Sequence, residues 1–60
     1  MKRSYLTVQE VADILRINTL TAYEYIRRGE LIAIKIGRNY RVREIDFQKF
    51  VKQHMTSNID

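Results

Sequence analysis

The chain has 60 residues, 45% hydrophobic and 30% charged, with a net charge of +4 and no cysteine. That length holds one domain, residues 1–60 with an ordered core over about 5–54, whose small core leaves no space for a separate enzymatic or sensing module. Lack of cysteine excludes a disulfide scaffold, a thiol nucleophile and cysteine-ligated metal, so a cytoplasmic protein is expected.

No apolar run approaches the roughly 18 residues of a membrane span. The basic start, Met1-Lys2-Arg3, is followed by no apolar stretch of the signal-peptide kind.

Thr7-Val8-Gln9-Glu10 has the capping-box spacing, in which Thr7 caps and Glu10 reaches back. Leu6 and Val11 stand where a hydrophobic staple places its two residues. Val8, Val11, Ala12 and Leu15 follow at i, i+3, i+4, i+7, so a short amphipathic helix is expected from Val8 to Leu15 or Arg16. Ile17-Asn18-Thr19 reads as a turn whose Asn18 or Thr19 caps a second helix. That helix runs from Thr19 or Leu20 to Arg28, with Gly29 as the residue that ends it. Ala22, Tyr25 and Ile26 form its inward stripe; Leu20, Tyr23, Glu24 and Arg27 form the outward one.

Leu31 to Ile36 is rich in β-branched residues, Gly37-Arg38-Asn39 is a turn cluster, and Tyr40-Arg41-Val42-Arg43 alternates apolar with basic. Together they predict a two-stranded hairpin, with Ile34, Ile36, Tyr40 and Val42 on one face. A third helix is expected from about Glu44 to His54, carrying Phe47, Phe50, Val51 and His54 inward. Arg43 is a poor cap for it, and Met55 to Asp60 reads as a frayed polar tail.

The charge is concentrated. Between Arg27 and Arg43 lie six basic residues and one acid, Glu30, so this segment carries +5 and the remainder −1. A local excess of this kind suits a polyanion. Two short helices across a tight turn, followed by a basic hairpin, form a small α+β winged helix-turn-helix. The second helix presents Asn18, Thr19, Leu20 and Thr21 at its start and Tyr23 a turn later, where a recognition helix meets base edges. Leu20 suits a thymine methyl. Lys35, Arg38, Asn39 and Arg41 form a wing suited to phosphates or a minor groove.

The string from Tyr5 through Thr7-Val8-Gln9-Glu10-Val11-Ala12 to Leu15 is followed by Thr21-Ala22-Tyr23 and Ile26-Arg27-Arg28-Gly29-Glu30-Leu31. Lys35-Ile36-Gly37-Arg38 and Arg43-Glu44-Ile45-Asp46-Phe47 complete the set. These residues resemble the excisionase-type helix-turn-helix family, small winged helices similar to the DNA-binding part of MerR regulators. The resemblance spans Tyr5 to His54. It implies a recognition helix over Thr19 to Arg28 and a wing over Lys35 to Arg41. Thr19, Leu20, Thr21, Tyr23 and Arg27 would then face the major groove, and Arg28 and the wing would hold backbone or minor groove. Glu24 stands where members usually carry a base. It accepts from a cytosine amino group or pairs with Arg27 or Arg28.

The resemblance further implies an excisionase, or recombination directionality factor, that binds and bends attachment-site DNA and assists an integrase. A small transcription regulator on the same fold and a protein-interaction module are the alternatives. The expected partner is double-stranded DNA, met by a monomer in solution that is cooperative on DNA, in a bacterial or phage-infected cell. No cofactor, metal or catalytic residue is expected. His54 is a lone histidine on an apolar stripe, and Tyr5, Tyr23, Tyr25 and Tyr40 lack the large dry cleft that a tyrosine nucleophile needs.

Overall fold

Thr7 starts the first helix through a reciprocal pair of bonds. The Glu10 amide donates to Thr7 Oγ1 at 3.0 Å, and the Thr7 amide donates to Glu10 Oε1 at 2.9 Å. A computed structural model describes residues 4–55. The elements are β1 (Tyr5–Thr7), α1 (Val8–Leu15), α2 (Thr19–Arg27), β2 (Ile34–Ile36), β3 (Asn39–Arg43) and α3 (Glu44–Gln53). The strands form one antiparallel sheet in the order β1-β3-β2. This is the expected α+β winged helix-turn-helix. The start of the chain and all of the tail beyond Met55 lie outside the described residues.

The link between α1 and α2 is tight because both helix ends are closed by local hydrogen bonds. At the end of α1, the Ile17 amide donates to Ala12 O at 3.0 Å and the Arg16 amide to Asp13 O at 3.2 Å. This is the Schellman pattern, which needs a left-handed residue. Arg16 supplies it, with φ of 59°. Ile17 packs beside Val8, Ala12 and Ala22. Asn18 then caps α2, its Oδ1 accepting from the Thr21 amide at 3.2 Å. At the far end of α2 the same pattern recurs. Gly29 takes φ of 78°, the Glu30 amide donates to Tyr25 O at 3.0 Å, and the Gly29 amide donates to Ile26 O at 3.0 Å. Glycine adopts that conformation without the Cβ penalty that Arg16 bears.

The sheet corrects the hairpin reading in three respects. A third strand is present, β1, which pairs Tyr5 with Arg43, Leu6 with Val42 and Thr7 with Arg41. The turn is two residues long, Gly37-Arg38, because Ile36 pairs with Asn39 and Asn39 begins β3. Gly37 has φ of 61° and Arg38 a negative φ, as in the type II′ turns that suit two-residue hairpins. The register also reverses the expected faces of β2. Ile34 lies opposite Arg41 and Lys35 opposite Tyr40. Cross-strand partners share a face, so Ile34 and Ile36 point away from Tyr40 and Val42. They are 38% and 57% exposed, while Val42 is fully buried. Leu31 to Ala33 are not strand, but Leu31 is buried in the core.

The core has two parts. Leu6, Val11, Leu31, Val42, Phe47 and Phe50 pack between the sheet, α1 and α3, with Leu15, Tyr25 and Val51 at the margin. Val8, Ala12 and Ala22 form a smaller group between α1 and α2, and Ile26 packs against both. The inward stripe of α2 is therefore the expected one.

The junction of β3 and α3 is held differently from the other helix starts. Arg43 precedes α3 and makes no side-chain bond to its backbone. Instead its guanidinium grips Asp46, Nε to Oδ2 at 2.7 Å and Nη2 to Oδ1 at 3.2 Å. The Asp46 side chain is 4% exposed. The Arg43 hydrogen bond holds its carboxyl below the ordinary carboxylate range, and Asp46 in turn raises Arg43.

Two tests follow from these contacts. Arg16→Gly relieves a left-handed backbone that costs a non-glycine residue about 1 kcal/mol, so the melting temperature should rise by roughly 4–8 °C. Asp46 has a folded pKa below its unfolded value of about 3.9, so its stabilising contribution is whole above that value. It is lost as pH falls through the folded pKa. Melting curves should show the parent protein losing stability on acidification below pH of about 4. Asp46→Asn should start less stable at neutral pH and lose less over the same acid range.

Candidate nucleic-acid interface

Burial of Ala22, with Ile26 and Tyr25 half-buried, turns the opposite side of α2 to solvent. Leu20 is 75% exposed and Tyr23 is 42% exposed. Asn18, Glu24, Arg27 and Arg28 are also exposed, whereas Thr19 and Thr21 are half-buried. Asn18, Leu20, Thr21, Glu24, Tyr25 and Arg28 line one shallow cleft of about 450 Å³. Glu24 accepts from Arg27 Nη2 at 3.2 Å, the pairing with Arg27 that was one of its alternatives. Arg28 reaches Glu30 at 3.4 Å. Both pairs are exposed, and such pairs are weak enough for a phosphate to displace them.

The wing meets the other flank of α2. The rings of Tyr23 and Tyr40 lie edge to face, 5.9 Å between centroids. The Lys35 ammonium stands 6.0 Å from the Tyr40 ring centroid. Arg41 donates from Nη1 to Tyr40 O at 3.1 Å, which steadies its side chain along the strand. Arg38 and Asn39 are exposed at the tip. Lys35 and Arg41 therefore flank Tyr40, which α2 also touches through Tyr23.

A second cleft, about 340 Å³, lies between the wing and the start of α1, lined by Thr7, Val8, Gln9, Tyr23, Asn39, Tyr40 and Arg41. Sequence reasoning missed Gln9 as a surface residue of this region. Its amide donates to Asp13 at 3.0 Å. The outward side of α1 was readable from the spacing of Val8, Val11 and Ala12. What brings Gln9 to the wing is the pairing of Thr7 with Arg41, which depends on the unforeseen β1.

The concentrated positive charge divides by role. Arg43 is committed to Asp46. Among the described residues, Arg16, Lys35, Arg38, Arg41, Lys49 and Lys52 have no described carboxylate within salt-bridge distance. Three of these six belong to the wing, and Lys49 and Lys52 lie on α3. His54 sits at the end of α3 with its side chain 43% exposed. Its ring lies 4.2 Å from that of Phe50 and its Nε2 is 3.4 Å from Glu30. No group of metal-ligating side chains exists among the described residues, and none of their helices is long and apolar enough to cross a membrane.

Two helices across a closed three-residue link, with the exposed start of the second beside a basic hairpin, define a helix-turn-helix domain. Comparison with known proteins agrees. A helix-turn-helix domain family matches residues 5–55. The chain belongs to that family, which is the excisionase-like one. Proteins of two Mycobacterium tuberculosis strains, each named "Putative DNA-binding protein", are 44% identical over 41 residues, covering 68% of this chain and 53% of theirs. The uncharacterized protein YvgK of Bacillus subtilis is 40% identical over 47 residues, covering 78% of this chain and 15% of its own length. The chain thus spans about half the length of the first of these relatives and far less of the last. No solved structure gives a significant match.

The unpaired wing cations generate a salt-dependence test. Arg38→Ala should weaken binding to specific and random duplex alike and reduce the magnitude of the log–log salt slope by about one unit. Arg43→Ala should leave the slope unchanged and lower the melting temperature. Titrations at several salt concentrations, with a melting curve for each variant, check both.

Proposed function

We propose that the chain is a sequence-specific double-stranded DNA-binding protein that acts without catalysis, as an excisionase or recombination directionality factor. The observation that carries the reading is one continuous surface. The exposed start of α2, with Asn18, Leu20 and Thr21, lies beside Tyr23, and Tyr23 contacts the wing that bears Lys35, Arg38 and Arg41. The helix start provides base-reading groups and the wing provides phosphate or minor-groove contacts. Membership of the excisionase-like family supports the recombination role. The relatives named for DNA binding support the DNA-binding part of the reading.

In this reading a monomer binds duplex DNA, cooperatively with neighbouring copies, and bends attachment-site DNA for an integrase. The bend costs on the order of 1–6 kcal/mol, offset by the contacts it permits. A small transcription regulator on the same fold is the alternative reading. Footprinting on the DNA flanking the chain's own gene separates the readings. Protection at an attachment site is expected; protection confined to a promoter would favour regulation. Lack of salt-dependent binding to any duplex would instead point to a protein-interaction module.

A further inference from the structure

The hydrogen bonds in the first turn of α2 assign its polar groups a fixed polarity. The Thr21 amide can only donate, and it donates to Asn18 at 3.2 Å, so the atom facing it is the carboxamide oxygen. The Thr21 hydroxyl lies 2.9 Å from the same oxygen. That oxygen can only accept, so the hydroxyl proton is spent on it. Asn18 is left with an outward amino group, a donor. Thr21 is left with hydroxyl lone pairs, an acceptor. Leu20, between them in sequence, is 75% exposed and lines the same cleft.

An exposed leucine alone carries no information. A leucine set in one cleft with a fixed donor and a fixed acceptor does. The usual bidentate pairing of asparagine with adenine needs the carboxamide oxygen, which the cap has occupied. A guanine–cytosine pair offers acceptors for Asn18 and the cytosine amino group for Thr21 but no methyl group, so it leaves Leu20 without a partner. A thymine–adenine pair presents a methyl group, acceptors at thymine O4 and adenine N7, and a donor at adenine N6. Each has a counterpart here: Leu20 for the methyl, Asn18 for an acceptor, Thr21 for the adenine amino group.

We infer that the first turn of α2 reads a thymine–adenine pair, with Leu20 the residue that determines specificity through the thymine methyl. This rests on the DNA-binding reading above and deepens it. Glu24 lines the same cleft, but a charged carboxylate gains nothing from a methyl group, so the thymine contact belongs to Leu20.

The test uses the whole chain. The tightest duplex is selected from a random-sequence pool, and each thymine in it is replaced singly by deoxyuridine, which lacks only the methyl. Affinities of the parent protein and of Leu20→Ala are measured at one salt concentration. Leu20 is so exposed that its alanine variant should melt like the parent. One replacement should weaken the parent roughly fourfold, the worth of one buried methyl group. Leu20→Ala should bind the thymine and uracil forms of that duplex equally. If the selected site tolerates every uracil, or if the penalty persists in Leu20→Ala, the inference falls while sequence-specific binding stands. If no sequence is enriched from the pool, the DNA-reading assignment itself falls, and the inference with it.

Discussion

Three residues, Arg16 to Asn18, must end one helix, reverse the chain and begin another, and the rest of the molecule depends on how they do it. Arg16 takes the left-handed conformation that lets the Ile17 amide return to Ala12. Ile17 is thereby fixed against Val8, Ala12 and Ala22. Asn18 is then in place to cap α2. The residues where the helices meet, Ala12 and Ala22, are small, so the backbones approach closely. With Ala22 fully buried, the rotation of α2 is determined, and with it the exposure of Leu20, Tyr23, Glu24 and Arg27.

Most of this was legible because it is local. Thr7 and Glu10 announce α1 three residues apart, Asn18 caps α2, and Gly29 closes it, each acting on neighbours within a turn. The inward stripes of the helices follow from spacing for the same reason. β1 was not legible. Three residues are too few for a period, and Tyr5 and Leu6 next to a capping box look like the approach to a helix. The faces of β2 were misjudged through a single residue. Counting Asn39 in the turn rather than in β3 shifts the register by one, and a shift of one exchanges the faces of a strand. Ile34 and Ile36 look like core by composition; the register puts them opposite Arg41 and Asn39.

The candidate interface was legible in composition and less so in arrangement. Asn18, Leu20, Thr21 and Tyr23 were identifiable from their place on α2, and Arg38 from its place in a turn. That Arg43 is spent on Asp46, or that Tyr23 lies against Tyr40, needed coordinates, because each involves residues from two elements. The same holds for Gln9. Basic residues close in sequence thus serve different ends: Arg43 secures the start of α3, while Lys35, Arg38 and Arg41 keep their charge for the outside.

The pairing of β1 with β3 has a kinetic consequence. The helix pair and the hairpin each depend on contacts between residues near in sequence, and such units form in microseconds. Joining residues 5–7 to residues 41–43 closes more than half of the chain into a loop, and that entropy is spent before Leu6 and Val42 gain anything from burial. The order of assembly is thus built into the connectivity. The reading helix and the wing can be made separately and early, while the strand that sets them side by side arrives last. Folding speed is governed by this closure, so changes at Leu6 or Val42 should bear on the rate more than changes on the DNA-facing surface.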